Sequence, residues 1–213
     1  QEQLVPRNSG TPGNYITFRS RQVHDGFSFQ TSDGQFESET VTVSIQLSED
    51  ARITGAELNP AIDLSNRSYI VLDGLRIENV DRWLHAVNTH HNIVRHCQFN
   101  KAINRGGSSK TGLFFQDATF NKILHNTISD STQDNLSLVH SDRNLVEGNT
   151  ITKAAHTLWA IKCGNFNVVR DNYFHNERQK IGEIYDCHNV GFNHEYYIYD
   201  STKYNLVERN IFA

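Results

Sequence analysis

The 213-residue chain has no methionine, only three cysteines and no excess of basic charge. No apolar run approaches the roughly 20 residues that a membrane-spanning helix needs, so membrane insertion is not expected. The net charge is −4, with lysine and arginine scattered rather than clustered. Nucleic acid and anionic membrane surfaces both select basic patches, so neither is an expected partner. Cys97, Cys163 and Cys187 have none of the spacings of zinc sites. No phosphate-cradling glycine loop, nucleophile elbow or metal-binding helix motif occurs. Without an initiator methionine or a signal peptide, a chain running from Gln1 to Ala213 in mid-pattern reads as a trimmed fragment. Its outer coils and any secretion signal would lie beyond it.

What the chain does have is a repeat. Asn121-Lys-Ile-Leu-His-Asn-Thr-Ile, Asn144-Leu-Val-Glu-Gly-Asn-Thr-Ile and Asn167-Val-Val-Arg-Asp-Asn-Tyr-Phe are one phrase at steps of 23 residues. Earlier and later copies begin at Asn92 and Asn205, and a looser one at Tyr69. A fixed period of this size signals a solenoid, whose units bury their apolar faces only by stacking. One domain, residues 1–213, of about seven coils accounts for the length. The longer steps, 29 residues before Asn121 and 38 after Asn167, predict loops on one face of a regular rod.

Each phrase alternates Val or Ile with other residues and reads as a strand. Two asparagine columns run through the copies, five residues apart: Asn92, Asn121, Asn144, Asn167 and Asn205, then Asn126, Asn149, Asn172 and Asn210, with Cys97 opening the second. Such an asparagine either fills a surface turn, suiting the left-handed conformation, or hydrogen-bonds to its copies above and below. Repetition in register favours the ladder. A second strand follows each phrase: 84–88, 113–117, 136–140, 159–163 and 182–186. Alternation points Leu136, Leu138, Trp159, Ile161 and Ile184 inward and Ser137, Val139, Ala160, Lys162, Glu183 and Tyr185 outward, in rows about 4.8 Å apart. Cys163 and Cys187 lie 24 residues apart, so a disulfide between neighbouring rungs fits; buried free thiols in interior columns fit better. Residues 21–50 break the rhythm and read as an inserted hairpin or lateral loop, with a turn at Ser32-Asp-Gly34 and a strand over 41–47. Residues 188–204 form the largest insertion.

The repeated Asn-x-Val/Ile-x-x-Asn-x-Ile/Phe phrases, with 9–19 and 69–75 as opening coils, resemble the right-handed parallel β-helix proteins of the pectate-lyase-like superfamily over nearly the whole chain. The resemblance implies an all-β solenoid, an extracellular setting and a polysaccharide partner held in a lateral groove. It leaves the activity open, since the fold hosts lyases, hydrolases, epimerases and adhesins. Around Lys162 the chain is similar to β-helix alginate lyases and chondroitinase B, which carry a lysine before an Asn-Val strand. Their Arg-His pair is not matched, Cys187-His188 standing near that place. Their calcium-holding carboxylates are not matched either, since His156 to Ile161 contains none. Calcium is thus implied by the resemblance without its usual ligands, and no metal site is assigned.

The chemistry is read from the outward rows. β-Elimination on a uronic acid needs a cation to neutralise the carboxylate, a base for the adjacent proton and an acid for the leaving oxygen. Lys162, Tyr185, Glu183 and His188 are the catalytic candidates. Gln116, His156, Trp159, His194 and Tyr196 are the candidates for contacting sugar, the last two on the 188–204 insertion, where a rigid scaffold would present them. His156 equally reads as a turn cap and Lys162 as a solvated lysine. A hydrolase would need two facing carboxylates, for which Glu183 with Asp200 or Glu195 are candidates. A non-catalytic glycan-binding or adhesive module would use spread aromatics, whereas a lyase would converge Lys162, Glu183 and Tyr185 in one concave patch.

Overall fold

The computed structural model describes residues 3–20, 27–33, 41–45, 52–103, 111–185 and 202–213. Every regular element among them is a strand, and the strands stack into three sheets. Sheet A runs through Ile62–Asp63, Leu84–His90, Leu113–Thr119, Leu136–Val139, Thr157–Lys162 and Lys180–Tyr185. Sheet B runs from Asn14–Ser20 to Leu206–Glu208, and sheet C from Arg52–Gly55 to Ile211–Phe212. All pairings between coils are parallel, so the chain winds as a right-handed parallel β-helix.

The repeated phrase is two strands rather than one. In the coil that begins at Asn121, Lys122–Leu124 lies in sheet B and Thr127–Ser131 in sheet C. The break falls at His125, whose φ is +53°. A left-handed residue turns the chain between sheets, and the residue just before each column position takes that role: His91, Phe120, Arg143, Phe166 and Tyr204 before the first column, and His96 (ahead of Cys97), His125, Gly148, Asp171 and Arg209 before the second. The asparagines themselves are therefore not the turn residues.

They are instead the buried polar lining of the corners, and both ladders form. Asn144 shows the pattern: its Oδ1 accepts from the Asn121 backbone N–H at 2.9 Å and the Asn121 amide at 3.1 Å, while its own Nδ2 donates to Asn167 Oδ1 at 3.0 Å. The second column repeats this from Asn126 to Asn210. The corners thus satisfy backbone groups that the sheets leave unpaired.

Inward residues of the three sheets make one continuous apolar core, from Phe18 through Leu72, Phe99 and Ile123 to Phe174. Cys97 stands where the second ladder would have its first asparagine. Its backbone N–H still donates to Asn126 Oδ1, at 2.9 Å. It is a buried free thiol; Cys163 is disulfide-bonded, so the disulfide reading holds there and the preference for a free thiol at that position is overturned. Burial pushes the Cys97 thiol up to about 12. Because the thiolate is the nucleophile, Cys97 should resist iodoacetamide in the native protein at pH 8 and react on unfolding in guanidinium. Native-state labelling at the unfolded rate, read by mass spectrometry, would contradict this placement.

At the N-terminal side, Phe27–Asp33 pairs antiparallel with Asn14–Ser20 and Val41–Ile45 pairs antiparallel with Phe27–Asp33. The first insertion thus adds two strands to the edge of sheet B, the first reversed and the second running with Asn14–Ser20 again, and they cover backbone groups of Asn14–Ser20 that an open edge would expose. Ser32 and Asp33 belong to the strand rather than to a turn. The second insertion, apart from residues 202–204, lies outside the described residues.

Candidate functional site

Sheet register fixes which outward side chains are neighbours. His85, Phe114, Ser137, Ala160 and Glu183 form one row, and Val87, Gln116, Val139, Lys162 and Tyr185 the next. Ala160 contributes only a methyl group between Ser137 and Glu183, leaving room for longer side chains to converge over it. Inward, the alternation holds: Leu136, Leu138 and Ile161 are buried, while Ile184 ends its row half-exposed, with no described strand beyond it on sheet A.

The centre of the convergence is Asp134, just ahead of the strand Leu136–Val139. Its carboxylate is 7% exposed. A buried carboxylate is costly unless paired and hydrogen-bonded, and this one has three partners. Lys162 Nζ lies 3.0 Å from Oδ2, Ser137 Oγ donates to Oδ2 at 3.0 Å, and His156 Nδ1 lies 2.6 Å from Oδ1. Thr111 Oγ1 donates to Ser137 Oγ at 3.1 Å, fixing that hydroxyl. With a carboxylate at Nδ1, the imidazole carries its proton there, leaving Nε2 as the acceptor when the ring is neutral.

Glu183 lies on the next coil. Its Oε2 accepts from Lys180 Nζ at 2.8 Å, and the other oxygen, Oε1, is buried without a hydrogen-bond partner. The bond to Glu183 and its charge hold the Lys180 ammonium above its ordinary value. The Lys162 and Lys180 ammoniums are each 5.9 Å from the centroid of the Tyr185 ring. Asp134, His156 and Glu183 bring one potential ligand atom each to within 4.8 Å of one another.

Toward the N-terminus, the row continues to an aromatic platform. The His85 ring stacks on Phe114 at 5.5 Å, and the Arg82 guanidinium lies 5.4 Å from the Phe114 centroid. Burial and the Arg82 charge hold the His85 imidazole below its ordinary value. Gln116 is in the row of Lys162, two coils away, with its amide donating to Asp117 at 3.2 Å.

Of the residues singled out from sequence, Lys162, Glu183 and His156 come together around Asp134, and Tyr185 lies beside Lys162. Gln116 lies along the same face. Trp159 does not join them: it points inward, 6% exposed, against Phe174. Gly182 follows it in the same row, and a Cβ there would run into the indole. It is a core residue and offers no face to a sugar. His188, His194 and Tyr196 lie outside the described residues, as do Asp200 and Glu195. Asp134, Ser137, Thr111, Lys180 and Phe114 were not anticipated. Asp134 leaves one sequence signal, lying about one coil before His156 and Lys162.

Calcium does not fit this cluster. The ion takes roughly six to eight oxygen ligands, whereas this site offers two carboxylates, each held by a lysine, and an imidazole. The segment ahead of Lys162 adds no further oxygen cage, since Thr157, Leu158, Trp159, Ala160 and Ile161 are all buried.

No curated protein matches this chain. Residues 60–212, more than half of the chain, match the family model described as right handed beta helix region, and with its three stacked parallel sheets the chain belongs to that right-handed β-helix family.

Proposed function

We propose that the sheet A face binds a uronate-containing polysaccharide and cleaves it by β-elimination. The observation that carries this reading is the convergence of Lys162, His156 and Glu183 on the buried Asp134, with the Tyr185 ring beside Lys162. In this reaction the carbon beside the carboxylate loses a proton, the bond to the leaving oxygen breaks, a carbon–carbon double bond forms, and the leaving oxygen gains a proton. Lys162, 31% exposed while anchored to Asp134, neutralises the substrate carboxylate. His156, with its proton held on Nδ1 by Asp134, takes the substrate proton at Nε2, and the carboxylate stabilises the imidazolium that results. Tyr185, with the Lys162 and Lys180 ammoniums each 5.9 Å from its ring centroid, gives its proton to the leaving oxygen. His85 and Phe114 add an aromatic patch further along the same face.

A secreted setting accords with the disulfide at Cys163, because such bonds persist in oxidising compartments. A non-catalytic glycan-binding module would use the same face, with Phe114 and Lys162 as contacts, and is favoured only by the aromatic pair of His85 and Phe114.

The test is ultraviolet absorbance, since the unsaturated uronate product absorbs where the substrate does not. The protein is incubated with a panel of uronate polysaccharides, with and without calcium, beside Lys162→Ala. A rise in absorbance that falls roughly 10²-fold or more in the variant is expected for loss of a charge-stabilising group. Binding of a panel member without any rise would select the binding module.

A further inference from the structure

We propose that Asp134, His156 and Glu183 form a binding site for a divalent transition-metal ion of the zinc class, in competition with Lys162 and Lys180. The three residues belong to successive turns of the solenoid, and their potential ligand atoms lie within 4.8 Å of one another. One ion is within reach of all three after small side-chain rotations. A second observation points the same way. The Glu183 side chain is only 9% exposed, yet its Oε1 has no hydrogen-bond partner. A buried carboxylate oxygen without a donor is costly, and a cation relieves that cost.

The donor set decides the class of ion. One imidazole nitrogen and two carboxylate oxygens, with a position left for water, suit zinc and its neighbours in the transition series. They do not suit calcium, for the reason given above. In the structure the two ammoniums act as counter-ions: Lys162 is 3.0 Å from Asp134 and Lys180 is 2.8 Å from Glu183. Their side chains are 31% and 47% exposed, so both have solvent to move into. An ion therefore exchanges with two ammoniums instead of entering an empty cage. It follows that removing either lysine makes the metal bind more tightly, the reverse of what a supporting residue does.

Binding of zinc does not depend on the elimination reading. If that reading holds, an ion on His156 removes the base, and zinc inhibits turnover.

The experiment is a calorimetric titration of the metal-free protein with zinc chloride, with circular dichroism confirming the fold of each variant. One ion per chain is expected. Glu183→Gln and His156→Ala should weaken it by roughly tenfold or more, as loss of a ligand does. Lys162→Met and Lys180→Met should each strengthen it. Glu183, on the last described strand of sheet A, keeps the test usable if Asp134→Asn does not fold. An affinity unchanged by Glu183→Gln would place zinc elsewhere, for example on the exposed His90–His91 pair, and would overturn the proposal. So would the absence of binding in both the natural protein and the Lys162→Met/Lys180→Met variant. Because the readout is binding, a failure here is separate from a failure to find lyase activity.

Discussion

Asn144→Ala is expected to lower the unfolding free energy by about 3–5 kcal/mol, from the cost of about 1–3 kcal/mol for each buried polar group left unmatched. The substitution removes an acceptor used twice, by the Asn121 N–H and the Asn121 amide. It also removes the donor that serves the Ala118 carbonyl at 2.9 Å and Asn167 Oδ1 at 3.0 Å. Asn121, Asn144 and Asn167 are all 1% exposed or less, so water does not replace these bonds without opening the corner. The Asn144 backbone N–H keeps its own acceptor, Asn167 Oδ1, which limits the loss. In a solenoid each coil touches only its neighbours, so the damage concentrates between the coils that begin at Asn121 and Asn144, and it should broaden the transition as well as shift it. Urea denaturation followed by circular dichroism measures this. Asn100→Ala is the reference: that exposed residue makes one surface bond, accepting from Ser129 at 3.0 Å, and its loss should stay within about 0.5 kcal/mol. If Asn144→Ala is as mild as Asn100→Ala, the ladder is not a stabilising element.

The ladders were legible in the sequence because a solenoid writes the same physical demand many times. Asn121, Asn144 and Asn167 repeat at one register, and a repeated buried amide has one economical solution. The inward and outward rows of sheet A followed for the same reason, from the period-two pattern of Leu136, Leu138 and Ile161. The break between sheets B and C was not legible, because the left-handed position accepts His125, Gly148, Asp171 and Arg209 alike and so has no residue signature. Trp159 suits both an inward row and a sugar platform by sequence; its row parity, with Gly182 beside it on the next coil, outranks its chemical suitability for stacking on sugar. Asp134 was missed because it projects from the corner ahead of its strand, where alternation has no say. Its role appears only when Lys162 and His156, from the following coil, are seen to reach back to it.

That dependence on Asp134 leads to the second large effect expected. Asp134→Asn should lower kcat/KM on the polysaccharide that gives turnover by roughly 10²–10⁴-fold, the range for disabling a general base, while changing the side-chain volume little. An asparagine carries no charge to hold Lys162, and its NH2 group turned toward His156 Nδ1 would select the tautomer with the proton on Nε2, where the base must be free. Asp134 does not meet the substrate, being 7% exposed beneath Lys162 and His156, so it is a positioning residue. Non-additivity distinguishes that role from a general loss of structure: residues acting as one unit show strongly coupled effects. Asp134→Asn combined with His156→Ala should therefore be little worse than His156→Ala alone. If the two losses multiply in full with the fold intact by circular dichroism, Asp134 acts independently of His156 and the proton-transfer assignment fails. If Asp134→Asn retains nearly natural turnover, the buried carboxylate is only an anchor for the coil, and the catalytic role must pass to Lys162 and Tyr185 without it.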